Sequence, residues 1–190
     1  MPEVIALDAM GGDFAPQATV AGALRAAAEG IHVALVGNSE MLGRELNALG
    51  GAPHSLRIVH APDVVGMDDK AAREVRRQRQ TSMYVGTELV RDGEASAFVT
   101  MGNTGAAMAT ALVVLGRIPG FERPALGAVL PTVRGEPMMF LDVGANANAR
   151  PSHLVQFAQM GAAYMHAVYG VTEPRVALLS IGEESSKGSM

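Results

Sequence analysis

Short apolar runs alternate with longer segments of helical period along the first half of the chain. Residues 4–7 form an apolar run closed by Asp8, which predicts a buried strand. Pro16 suits the opening of a helix that reaches about Glu29, with Val20, Leu24 and Ala27 or Ala28 on one face. Residues 31–36 predict a second strand. Asn38 or Ser39 then caps a second helix, 40–49, with Met41, Leu42, Glu45 and Leu49 at helical spacing. A third strand is expected at 56–60. Strands alternating with helices in this way argue for a parallel sheet with right-handed crossovers.

The pattern continues with a loop over 61–69 and a helix carrying Arg73, Arg76, Arg77 and Arg79. A further helix starts near Thr81 and runs to about Asp92, and 96–100 reads as a fourth strand. The next helix is apolar on every side from Ala106 to Leu115, which suggests a central element or a subunit interface. Runs at 125–131 and 138–143 lie too close together for a parallel crossover and predict an antiparallel hairpin, making the sheet mixed. Pro151 opens a last helix with Leu154, Phe157, Ala158, Gly161, Met165 and Val168 on its apolar face. Residues 175–180 predict one more strand. The expectation is a single α/β domain over 1–190, built on a mixed, mostly parallel sheet flanked by helices.

Composition narrows the chemistry. The chain is 48% hydrophobic and 18% charged, so a large core is expected. Aromatic residues make up 4% and Trp is absent, which leaves Ala, Val, Leu and Met to fill it. A net charge of −4 offers no basic field for nucleic acid. The absence of Cys excludes disulfides, thiolate metal sites and a cysteine nucleophile, and fits a cytoplasmic protein. The longest apolar run is about ten residues, where a membrane span needs about 20.

Polar, glycine-rich loops follow four of the strands. The turn Gly102-Asn103-Thr104-Gly105 leads from a strand into a helix. Unpaired N–H groups and the helix dipole favour an anion there, and Asn103 or Thr104 can cap the helix or bond a ligand. The other loops span 8–13, 142–148 and 182–188. In an open α/β sheet, ligands bind outside the carboxyl ends of the strands. Asp8 with Asp13 can position a ligand or hold a metal, or serve only as turn aspartates. The arginines between 73 and 79 suit a solvated face, or a landing site for an acidic partner or phosphate. The five histidines are scattered and read as surface or hydrogen-bonded residues. Neither a G-x-S-x-G elbow, a P-loop, a G-x-G-x-x-G turn nor an H-E-x-x-H helix is present. Loops rich in amides, without a strong base, suit acyl transfer to phosphate. The nucleophile is already anionic, and the protein's task is to hold it and stabilise an oxyanion.

The loops resemble those of the bacterial phosphate acyltransferases (acyl-ACP:phosphate transacylases) of phospholipid synthesis. The resemblance rests on Ala6-Leu7-Asp8-Ala9-Met10-Gly11-Gly12-Asp13, Val59-His60-Ala61-Pro62 with Met67-Asp68-Asp69, and Gly102-Asn103-Thr104-Gly105-Ala106. Further matches are Leu115-Gly116-Arg117-Ile118-Pro119-Gly120, Arg123-Pro124-Ala125-Leu126, Leu130-Pro131-Thr132, Leu141-Asp142-Val143-Gly144-Ala145-Asn146, and Ile181-Gly182-Glu183-Glu184 with Lys187-Gly188. Two positions depart from the family pattern. Asn148 replaces the usual acid in one stretch, where Arg150 keeps the base before proline, and Thr100-Met101 replaces Ser-Ala in the other.

The resemblance implies a fold similar to isocitrate/isopropylmalate dehydrogenases and phosphotransacetylases, with this chain as the N-terminal part of a longer one. It implies transfer of a long-chain acyl group from acyl carrier protein to inorganic phosphate, with no cofactor and no metal. It also implies a cytoplasmic homodimer, peripheral at the membrane surface, that supplies a membrane glycerol-3-phosphate acyltransferase. Under it, Asn103, Asn146 and Lys187 are the catalytic candidates. Asp8, Gly11, Gly12, Asp13, Gly102, Thr104, Gly105 and Gly144 would bind phosphate or substrate. Arg73, Arg76, Arg77 and Arg79 become candidates for docking the acidic carrier protein. The rival readings are a short-chain phosphotransacylase or dehydrogenase of similar fold, and a non-catalytic scaffold that binds the carrier protein.

Overall fold

The computed structural model describes residues 3–69, 78–180 and 182, and the contacts of the chain fall into two compact units, Met1–Ile118 and Pro119–Met190. In the first unit the elements are β1 (Val4–Asp8), α1 (Gln17–Ala28), β2 (His32–Gly37), α2 (Ser39–Ala48), β3 (Leu56–His60), α3 (Ser82–Arg91), β4 (Ala97–Val99) and α4 (Thr104–Val114). The four strands form one sheet in the order β3-β2-β1-β4, and every pairing is parallel. β1 lies between β2 and β4, which brings the loop after Asp8 beside the turn after β4.

Alternation along the strands explains how both faces of this sheet are covered. Leu7, Val33 and Leu35 point to one face and pack with Val20, Ala23 and Ala27 of α1 and Leu42 and Leu46 of α2. Ala6, Ala34 and Val36 point to the other face, where Leu89 of α3 and Ala95 join them. The many alanines of α1 allow close approach to the sheet, as the composition suggested. In α2 the buried pair is Leu42 and Leu46, while Met41 and Leu49 of the expected stripe are exposed. The packing centre therefore lies further round the helix than the sequence spacing indicated.

α4 behaves differently from a central helix within this unit. Ala106, Thr110 and Val114 form its buried stripe, whereas Leu112, Val113 and Leu115 are 39–50% exposed. The residue between the apolar ones, Thr110, thus faces inward. The arginine-bearing segment with Arg73, Arg76 and Arg77 lies outside the described residues, and Arg79 is exposed.

The second unit contains β5 (Gly127–Pro131), β6 (Pro137–Leu141) and α5 (Pro151–Tyr169). β5 and β6 are the expected antiparallel hairpin, with Gly127 opposite Leu141 and Pro131 opposite Pro137. The hairpin stands as a two-stranded sheet of its own instead of extending the parallel one. Gly170, in the left-handed conformation at φ 68°, stops α5. The strand expected at 175–180 is absent. Among the described residues no strand pairs with this segment, so its backbone groups lack the ladder partners a strand needs, and Leu178 and Leu179 are 76% and 79% exposed.

Two helical glycines in the first unit give opposite expectations for the same substitution. Gly22 in α1 has nothing within 4 Å of the place a Cβ would occupy, so Gly22→Ala should stabilise by about 0.5–1 kcal/mol. Gly86 in α3 lies under the Phe98 ring, where a Cβ would stand 2.7 Å from Cδ2. There the steric cost outweighs the propensity gain, and Gly86→Ala should destabilise by about 1–3 kcal/mol. Urea unfolding of both variants measures the difference in sign.

Candidate functional site

The carboxyl edge of the parallel sheet is organised by Asp8, the last residue of β1, which is fully buried. A buried carboxylate must be compensated by hydrogen bonds. Oδ1 accepts the N–H groups of Met10 at 3.0 Å and Gly11 at 3.1 Å. Oδ2 accepts the Thr100 hydroxyl at 2.7 Å, from a residue 92 positions away in sequence. The Thr100 oxygen in turn accepts the Gly102 N–H at 3.0 Å. Glycine is required where the two loops meet. A Cβ at Gly11 would press on the Asp8 carboxylate and stand 2.9 Å from the Gly102 nitrogen. A Cβ at Gly102 would meet the Met83 methyl and lie 3.3 Å from the Gly11 Cα. Gly12, at φ 107°, needs the freedom of glycine, and a Cβ there would lie 3.2 Å from Met101 Cβ.

Asn103 caps α4: its Oδ1 accepts the Ala106 N–H at 3.0 Å. Its amide nitrogen donates to the carbonyls of Met67 at 2.8 Å, Asp69 at 3.3 Å and Gly66 at 3.4 Å. The 66–69 turn is closed by the Gly66 N–H, which donates to Asp69 Oδ2 at 2.7 Å. Both ends of the Asn103 side chain are thus committed to holding two loops together. The N–H groups of Thr104 and Gly105 and the Thr104 hydroxyl are left without a partner among the described residues, at the exposed start of α4. Unpartnered donors at a helix start are groups that can receive an anion. Asp13 is exposed on the neighbouring loop.

Gly144 and Asn146 belong to the second unit and are organised by a second aspartate. Asp142, just past β6, accepts the N–H groups of Leu126 at 2.8 Å and Ala145 at 3.0 Å on Oδ1. Its Oδ2 accepts the Asn146 N–H at 2.7 Å and the Asn146 amide at 3.0 Å. Burial alone would raise the Asp142 pKa, but these four bonds outweigh it and hold the carboxyl below its ordinary value. Its stabilising effect is therefore present above the ordinary aspartate pKa and is lost as pH falls through the lowered one. The Asn146 amide also donates to the Pro124 carbonyl at 2.9 Å, and its oxygen accepts from Arg123 at 3.3 Å. Like Asn103, Asn146 is a strap whose side chain is fully engaged.

Beside this loop, Glu122, Arg150 and His153 form a cluster at the start of α5. His153 is 1% exposed. Its Nδ1 accepts the Arg150 N–H at 3.2 Å, and its Nε2 lies 3.1 Å from both the Glu122 carboxylate and the Arg150 guanidinium. Arg150 donates to the same carboxylate oxygen at 2.8 Å. Asn148 is exposed. Lys187 lies outside the described residues, as does the rest of the 182–188 loop apart from Gly182. Among the described residues no group of three or more His, Asp or Glu side chains is placed to hold a metal ion.

The sequence reading assigned no site role to Thr100, Asp142 or the Glu122–His153 pair. Thr100 and Asp142 share a signal: each ends or follows a strand and immediately precedes a glycine-bearing loop, where backbone donors need an acceptor. His153 had a weaker one, since a histidine three residues after Arg150 on the first turn of a helix can bond back to the cap.

Residues 3–190 match the fatty acid synthesis protein family. The chain is 50% identical over 187 residues to the phosphate acyltransferase of Elusimicrobium minutum, covering 97% of this chain and 54% of that one. It is 55% identical over 185 residues to a phosphate acyltransferase of Thermus thermophilus, covering 97% and 55%. The chain therefore spans about half the length of the curated relatives it matches. In structure it is similar to a phosphotransacetylase from Streptococcus pyogenes, with a TM-score of 0.71 at 22% identity, covering 99% of this chain and 60% of that one. That likeness upholds the expected fold, and the sequence matches uphold the resemblance read from the loops. The chain belongs to the fatty acid synthesis protein family.

Proposed function

We propose that this chain carries the phosphate-binding part of an enzyme that transfers a long-chain acyl group from acyl carrier protein to inorganic phosphate. The observation that carries the reading is the start of α4. Two backbone N–H groups and a hydroxyl, from Thr104 and Gly105, stand there without protein partners among the described residues, at the carboxyl edge of a parallel sheet. The names of the relatives, phosphate acyltransferases at 50–55% identity, support phosphate as the anion.

The chemistry asks little acid–base help of the protein. A phosphate oxygen attacks the thioester carbonyl carbon. The tetrahedral intermediate carries the negative charge on the former carbonyl oxygen. The C–S bond then breaks, the sulfur leaves as thiolate with the bonding pair and takes a proton from water, and the acyl phosphate remains. Phosphate is anionic at neutral pH, and a thiol with a pKa of about 8.5 is a good leaving group. Holding phosphate against the carbonyl and stabilising charge are the protein's main contributions. In this reading Thr104 and Gly105 donate to phosphate, while Asn103 acts by fixing the helix start and the 66–69 turn. The location is cytoplasmic, and the protein works as a homodimer. No helix among the described residues is long and apolar enough to cross a membrane.

The deciding measurement is phosphate-dependent release of free thiol from long-chain acyl-ACP, with acetyl-CoA as the comparison substrate. Release from the long-chain donor supports the proposal. Preferential turnover of acetyl-CoA would replace it with a short-chain phosphotransacylase, and binding of acyl-ACP without release would leave a non-catalytic scaffold. Thr104→Val, which removes the hydroxyl and keeps the shape, should raise the phosphate KM by about three- to tenfold. Asn103→Ala removes the cap and the loop strap together and should lower kcat/KM for phosphate by about tenfold or more, seen in initial rates across phosphate concentrations.

A further inference from the structure

We infer that Thr100 is a positioning residue for phosphate, relaying the buried Asp8 carboxylate to the Gly102 N–H and so holding the 102–105 turn in its anion-accepting form. The inference rests on the reading of that turn as the phosphate site.

The hydroxyl of Thr100 has one proton and gives it to Asp8 Oδ2, at 2.7 Å. Its lone pair receives the Gly102 N–H, at 3.0 Å. The bond to Asp8 has no local substitute. Asp8 Oδ1 is already occupied by the Met10 and Gly11 N–H groups, and Thr100 is the donor that reaches Oδ2. Asp8 is 0% exposed, so bulk water does not reach it. The space beside it is filled by the Gly11 and Gly102 backbones, whose Cα positions leave no room even for a methyl group.

Two consequences follow for an anion at Thr104 and Gly105. The first is geometric. Gly102 is the entry to the turn, and anchoring its N–H to a side chain on the strand edge sets the direction in which the following N–H groups point. The second is electrostatic. The buried Asp8 carboxylate is tied to the turn through Thr100, and burying it is tolerable only while its oxygens are bonded to donors. Removing the hydroxyl frees Oδ2 and orphans the Gly102 N–H in one step. Both losses weaken contacts to phosphate that are made in the ground state and the transition state alike, and neither touches the scissile thioester. The effect therefore belongs in the KM for phosphate and not in kcat.

The test compares Thr100→Val, which keeps the shape and loses the hydroxyl, with Thr100→Ser, which keeps the hydroxyl. Thr100→Ala is the second hydroxyl-free variant. Three quantities are read: kcat and phosphate KM with long-chain acyl-ACP, the affinity for inorganic phosphate by direct titration, and hydrogen exchange at the Gly102 amide. The hydroxyl-free variants should raise the phosphate KM and the phosphate dissociation constant by about tenfold, keep kcat within about twofold, and lose protection at Gly102. Thr100→Ser should restore all three. Loss of Gly102 protection with unchanged phosphate affinity would overturn the inference, as would a fall in kcat at constant KM. A parent protein that binds phosphate but releases no thiol would overturn the acyl-transfer reading alone, and the titration would still decide the role of Thr100.

Discussion

A carboxylate removed from water must be given donors, and that requirement at Asp8 shapes the candidate site. The residue ends the central strand β1 at full burial, and three donors converge on it: two from its own loop and one from Thr100 after β4. Because β1 and β4 are parallel neighbours, both loops leave the sheet at the same edge, and the hydroxyl of one can reach the carboxylate of the other. The close approach demands Gly11 and Gly102, since side chains there would collide with the groups that satisfy the charge. One electrostatic constraint thus accounts for the aspartate, the threonine and two of the glycines.

The second unit uses the same device independently. Asp142 follows β6 and accepts four hydrogen bonds, from Leu126, Ala145 and both the backbone and side chain of Asn146. In each unit an asparagine then extends the network. Asn103 ties the start of α4 to the 66–69 turn, and Asn146 ties its loop to the Pro124 carbonyl. The asparagines that look most like ligands in the sequence are engaged as straps. Among the described residues, the groups left open at the start of α4 are backbone donors and the Thr104 hydroxyl. Such a division suits a site for a small anion, where rigid N–H groups at a helix start need a fixed frame more than they need additional charge.

Parallel strands, the two helices packed on one sheet face and the hairpin were legible in the sequence because each depends on local periodicity and loop length. The Gly-Asn-Thr-Gly turn was legible for the same reason, since capping and strand-to-helix punctuation are short-range. The role of Asn103 was half legible: its cap bond spans three residues, but its amide bonds reach back more than thirty positions to the 66–69 turn. Thr100 was visible only as an unusual residue before the turn, because its partner lies 92 positions away. His153 was read as one scattered histidine among five, and its tie to Glu122 spans 31 positions.

The sequence by itself determined the element order, the alternation that buries both faces of β2, and which loops have the composition of a site. These follow from periodicity, from glycine and proline punctuation, and from the cost of burying polar backbone. Tertiary structure decided which donor meets which acceptor. It tied the Asn103 and Asn146 side chains to distant loops, made Thr110 the inward-facing residue of an otherwise apolar helix, and left the 175–180 segment without a strand partner among the described residues. Hydrogen-bond partners and strand pairing depend on distance in space, and residues far apart along the chain acquire that distance only when the sheet brings their strands together.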